Sequence, residues 1–106
     1  MKAMISQPMA GLSEYEINET RANAEKDLVS RGYMVVESRV DETTEEMYDR
    51  GVFHVPLCYL AKSLEKMAEC DAVYFCRGWE SARGCRIEFT AASQYGLTVM
   101  FEEGIG

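Results

Sequence analysis

The stretch CDAVYFCRGWESARGCRIEFTAASQY, residues 70–95, decides how this chain is read. Ala72, Val73, Tyr74 and Phe75 form a continuous apolar run, the pattern of a strand covered on both faces of a parallel sheet. A loop over residues 76–83 follows, punctuated by Gly78, and then a helix with Ile87, Ala91 and Tyr95 at four-residue spacing. On an adjoining stripe lie Gly84, Glu88, Ala91 and Tyr95. A carboxylate is thereby set between a glycine and an alanine, close to where a strand hands over to a helix. In open α/β sheets, ligands bind beyond the carboxyl ends of the strands. Glu88 is therefore the first candidate for a working group. The alternative is an ordinary solvated glutamate, since Glu is rarely buried unpaired.

Working outward, residues 2–5 read as a first strand and residues 6–12 as a loop containing Pro8 and Gly11. Ser13 and Glu16 have the spacing of a capping box, with Leu12 and Ile17 as a hydrophobic staple around it. A helix is expected from about Glu14, turning Ile17, Ala24 and Leu28 inward and ending at Gly32. Residues 33–36 form the second strand candidate. Residues 38–53 are acidic, with Val40, Met47 and Tyr48 as apolar anchors; they predict a solvated loop with a helical turn, or a lid over the site. His54, the only histidine, has no partner in the pattern and is expected to be structural. Pro56 suits a helix start, and Leu57, Leu60, Ala61, Leu64, Met67 and Ala68 predict a core-facing stripe behind it. Residues 98–101 give a last strand, and residues 102–106 a polar tail.

The 106 residues predict a single domain, 1–106, with one hydrophobic core. The net charge of -7 argues against nucleic acid and against an anionic membrane surface, because both demand a basic footprint. No apolar run has the length of a membrane span and no leader-like segment is visible, so a cytoplasmic protein is expected. Cys58, Cys70, Cys76 and Cys85 show no metal-ligand rhythm; they predict reduced thiols, and neither metal nor cofactor is expected. Strand and helix alternation predicts an α/β, flavodoxin-like three-layer sandwich, a short parallel sheet of order 2-1-3-4 with helices on both faces. The first and third strands are then neighbours. The expected cleft lies between the loops over residues 6–12 and 76–83.

Two blocks carry a resemblance. Met4-Ile5-Ser6-Gln7-Pro8-Met9-Ala10-Gly11 resembles the opening strand and loop, often SGPMxG, of a small bacterial and phage branch of the nucleoside 2-deoxyribosyltransferase-like superfamily. The stretch CDAVY, then GWESARG, then Ile87-Glu88 resembles that branch's second block, CDAVY and GWExSxGxxxE. Spacing between the blocks is kept and the likeness spans essentially the whole chain. It implies the fold derived above and a chemistry in which Glu88 attacks the anomeric carbon of a nucleoside or nucleotide. It also implies a small-molecule binding set of Ser6, Gln7, Pro8, Met9 and Gly11 in the first loop, with Gly78, Trp79, Ser81, Arg83 and Gly84 in the second. A homodimer is expected, partly because such pockets are completed by a neighbouring copy.

The chain departs from the family pattern at three places. Gln7 stands where the loop usually has glycine. The position six before Glu88, acidic in relatives that transfer bases, is Ala82, and a second acid expected in the preceding helix falls near Ser63. Two functions follow: an N-glycosidic-bond enzyme, transferase or hydrolase, or a non-catalytic nucleotide binder or sensor that keeps the cleft. Several residues carry two readings. Ser81 is the helix N-cap or a phosphate contact beside Arg83. Trp79 is a platform for a base or a cover for the core. Arg83 and Arg86 favour an ionised Glu88 or are solvated charges. Tyr15 and Arg21 are expected at the edge of the first loop.

Overall fold

The computed structural model describes residues 1–102. Four strands, β1 (Lys2–Ser6), β2 (Met34–Val35), β3 (Ala72–Phe75) and β4 (Thr98–Phe101), form one parallel sheet in the order β2-β1-β3-β4. Four helices connect them: α1 (Glu14–Ser30), α2 (Thr44–Asp49), α3 (Val55–Met67) and α4 (Arg83–Gln94). A single 3-10 turn over Trp79–Ser81 precedes α4. The expected α/β architecture and strand order are those observed.

The two faces of the sheet follow from strand alternation. Ala3, Ile5 and Tyr74 pack with Ala24 and Leu28 of α1 on one face. Met4, Val73 and Phe75 pack with Met67 of α3 and Ala92 of α4 on the other. Because the central strands are covered on both sides, β3 is buried at all four positions. That is why it reads as an unbroken apolar run. Tyr74 carries its hydroxyl through the α1 layer to Asp27 Oδ2 at 2.8 Å, so the buried ring keeps a polar partner.

Local chemistry sets the helix ends. Ser13 accepts from the Glu16 backbone N–H while the Glu16 carboxylate accepts from the Ser13 N–H, as the spacing predicts, and α1 starts at Glu14. The same device appears at Thr43 and Glu46 and starts α2, where only a helical turn was expected. Met47, fully buried, pins that short helix down. The second strand is shorter than predicted: its ladder spans Met34–Val35, although the Val36 N–H still bonds the Ala3 carbonyl at 2.8 Å.

Two helical stripes differ from expectation. On α3, Met67 is buried, but Leu57, Ala61 and Ala68 are exposed, so only part of the predicted apolar face meets the core. On α4 the inward face is Cys85, Glu88 and Ala92, while Ile87 and Tyr95 point outward. The carboxylate thus occupies the buried side and the isoleucine the wetter one. Ala82, not Ser81, caps α4, and no side chain bonds that helix start. From residue 103 on, the expected polar tail lies outside the described residues.

Candidate functional site

Beyond Ser6 the chain leaves β1 with two polar side chains in succession, Ser6 and Gln7, both buried. Alternation sends them to opposite faces of the sheet. Ser6 turns to the α3–α4 side, where its hydroxyl donates to Glu88 Oε1 at 2.7 Å. Ser63 of α3 donates its hydroxyl to the other carboxylate oxygen, Oε2. Glu88 is only 7% exposed, yet both of its oxygens are met. A buried carboxylate without such donors would carry a large desolvation cost. Among the described residues it forms no ion pair; two hydroxyls hold it.

Gln7 turns the other way. Its Nε2 donates to the Ile17 carbonyl in α1 at 3.0 Å. A carbonyl can only accept, so this bond fixes which end of the amide is which. The opposite end, Oε1, is buried and has no hydrogen-bond partner.

Over the end of β1 lies a cavity of about 780 Å³ that reaches from Gln7 to Glu88. That is within the usual range for small-molecule sites, about 300–1,000 Å³. The α1 helix lines it with Glu14, Ile17, Asn18 and Arg21. Spacings of three and four place those side chains on one helix face. Tyr59 and Ser63, four apart on α3, line the side where Glu88 lies, and residues 37–40 after β2 complete the wall. Arg21 ties two of these walls together through an ion pair to Glu37 at 3.1 Å. Cys85 is buried nearby; burial pushes its thiol up, with contact to the Ser6 hydroxyl working against that and the Glu88 charge adding to it.

Residues 1–101 match a family described as a domain of unknown function, DUF4406. The chain belongs to the DUF4406 family. No curated protein and no solved structure matches it.

In this DUF4406 domain, four of the residues singled out from sequence come together at the cavity: Ser6, Gln7, Met9 and Glu88. Arg21 lines it as well; Tyr15, 75% exposed, does not. Of the remaining first-loop residues, Gly11 serves the turn. It takes a φ of 77°, a left-handed conformation that glycine adopts without strain. Pro8 instead abuts the second loop, where a Cβ at Gly78 would lie 3.4 Å from Pro8 Cγ. The two loops therefore meet by direct contact there, and the cavity opens on the β2 side of β1 rather than between them.

Gly78, Trp79, Ser81, Arg83 and Gly84 are not among the cavity-lining residues. Trp79 stacks on Phe89 with ring centroids 4.7 Å apart and also touches Phe75 and Phe101. It covers the α4 side of the core. Ser81 and Arg83 are exposed, and Arg86 donates to the Glu80 carbonyl at 2.9 Å rather than facing Glu88. Among the described residues no group of His, Cys, Asp and Glu side chains is arranged to hold a metal ion. No described helix is long and apolar enough to cross a membrane.

Sequence reading missed the roles of Ser63, Tyr59 and Asn18. A usable signal existed in the polar pair Tyr59 and Ser63, four residues apart and set beside the apolar stripe of that helix. On α1, Glu14, Ile17, Asn18 and Arg21 form a second such stripe, mixed polar and apolar where a core-facing helix would be uniformly apolar.

Proposed function

We propose that this DUF4406 domain breaks the N-glycosidic bond of a nucleoside or nucleotide, with Glu88 as the nucleophile. The observation that carries the reading is the placement of the Glu88 carboxylate: buried, bordering the cavity, and held by hydroxyls from β1 and α3. The resemblance of the MISQPMAG and CDAVY…GWESARG blocks to deoxyribosyltransferase-like proteins supports it from a separate direction. Ile5, Met9, Ile17 and Val40 supply apolar wall for a base, and Asn18, Ser38 and Tyr59 supply polar groups to orient it.

In the proposed reaction a Glu88 oxygen attacks the anomeric carbon, forming a carbon–oxygen ester bond. The carbon–nitrogen bond breaks, and the base departs with its electron pair and takes up a proton from solvent. Water, or a second base, then attacks the same carbon; the ester carbon–oxygen bond breaks to return the carboxylate, and the nucleophile's proton passes to solvent. Two modest displacements replace one difficult one. Ser6 and Ser63 act as positioning residues, holding the carboxylate plane while leaving lone pairs free for attack.

A second reading, ligand binding without turnover, is favoured by one feature. The two base-handling acids that the resemblance leads one to expect are missing: one position is Ala82, and the other falls near Ser63. Incubation with a panel of 2′-deoxynucleosides and their 5′-monophosphates, followed by chromatography for free base, separates the two. Base release is expected; its absence across the panel, with binding retained, leaves the binder.

A further inference from the structure

We infer that Gln7 is a specificity-determining residue whose Oε1 accepts a hydrogen bond from an N–H or O–H donor of the ligand. This rests on the proposed nucleoside site but concerns what the opposite wall of that site recognises.

Three observations converge on Gln7. It is 8% exposed, and it lines the same cavity as Glu88. Its Nε2 is committed to the Ile17 carbonyl, which leaves Oε1 as a pure acceptor of known direction. That oxygen is the one buried side-chain nitrogen or oxygen without a partner among the described residues. Both oxygens of the far more demanding Glu88 are satisfied, so the site is not carelessly built. An unmet buried acceptor is costly, and a methionine or leucine would fill the same space without the cost. Glutamine is explained if Oε1 finds its partner in the liganded state.

The chemical consequence is a demand for a donor. A ligand presenting an acceptor or a methyl group to Gln7 would leave Oε1 unpaired, and sites built around a hydrogen bond reject analogues that lack it strongly. On a nucleoside the available donors are the sugar hydroxyls and the N–H groups of the base. A phosphate, fully ionised, offers none.

Calorimetric titration with 2′-deoxynucleosides and analogues lacking one donor each (3′-deoxy, 5′-deoxy and base N-methylated) tests this. Wild type is expected to bind one analogue class about tenfold or more weaker than its parent. Gln7→Met should bind parent and analogue alike. The Gln7 side-chain amide resonances of the wild type should shift with the parent and not with that analogue, a readout that stands even if the variant fails to fold. Equal affinities across the series, or amide resonances that ignore the ligand, overturn the assignment and mean that only water ever meets Oε1. Donor discrimination without base release sinks the enzyme reading and leaves this one. Base release without discrimination does the reverse, and failure of every nucleoside to bind overturns both.

Discussion

The hydroxyl of Ser6 donates to Glu88 Oε1 at 2.7 Å although 82 residues separate them in the chain. Ser6 ends β1, and Glu88 sits one turn into α4, which follows β3; β1 and β3 are hydrogen-bonded neighbours with Ser6 opposite Phe75. The parallel pairing therefore delivers the hydroxyl to the helix that starts after the adjacent strand.

If Glu88 is the nucleophile, Glu88→Gln should lower base release by on the order of 10³-fold or more, with folding and ligand affinity largely kept. The amide retains shape and hydrogen-bonding reach but is not an anionic nucleophile. Circular dichroism checks the fold, and single-turnover chromatography the rate. Equal turnover by both proteins removes Glu88 from the chemistry.

Ser6→Ala and Ser63→Ala each take one donor from a buried carboxylate. Hydrogen bonds to charged groups are worth about 1.5–3 kcal/mol, so each variant should lose stability in that range. Because both hydroxyls serve one group, the double variant should depart from additivity. Urea midpoints of the four proteins measure it; a purely additive pair of small losses would show the carboxylate to be held by something else.

Trp79→Ala should destabilise the domain by about 3 kcal/mol, the size of a large aromatic truncation in a core. Its ring lies against Phe75, Phe89 and Phe101, outside the cavity lining. Nucleoside affinity should be unchanged at temperatures where the variant is folded. Calorimetry showing lost affinity with unchanged stability would return Trp79 to the role of base platform.

Acid should act where the two ends of α2 meet α3. The Arg50 guanidinium, bonded to Glu42 at 2.8 Å with Lys62 adding a contact at 3.1 Å, holds the Glu42 carboxyl down to about 2 from the ordinary 4.5. A carboxyl depressed on folding contributes stability that is full above its unfolded value and fades as pH falls from about 4.5 towards 2. Glu42→Gln should therefore be less stable than wild type at pH 7, with the gap closing across that window. A gap that persists at pH 2 would locate the effect in packing rather than charge.

Self-association is expected. Phe53, Leu57 and Tyr48 are 86%, 61% and 62% exposed, more large apolar surface than α2, α3 and their connection need leave open. Light scattering at tens of micromolar should report a dimer, since specific homodimers commonly form well below that concentration. A monomer there would count against it.

Much of this molecule follows from local patterns. Ser13 with Glu16 sets where α1 begins, because a reciprocal pair of hydrogen bonds needs only residues three apart. The apolar run over Ala72–Phe75 places β3 at the centre of a sheet covered on both faces, and alternation of strands with helices then leaves few topologies open. Thr43 and Glu46 carry the same kind of local signal for α2, set among the acidic residues around it. Glu88 was singled out by its stripe and its resemblance, yet its burial was not legible. One step of helix phase decides whether Ile87 or Glu88 faces inward, and the packing of α3 and α4 together sets that phase. Ser63 could be seen only as a missing acid; the tertiary fold made it a donor to the carboxylate. The contact of Pro8 with Gly78 likewise needed three dimensions, and it moved the cavity to the β2 side of β1. Periodicity reports which side of an element is apolar, a property of neighbours in sequence. Which polar groups meet depends on how elements far apart in the chain are docked, and no local pattern encodes that distance.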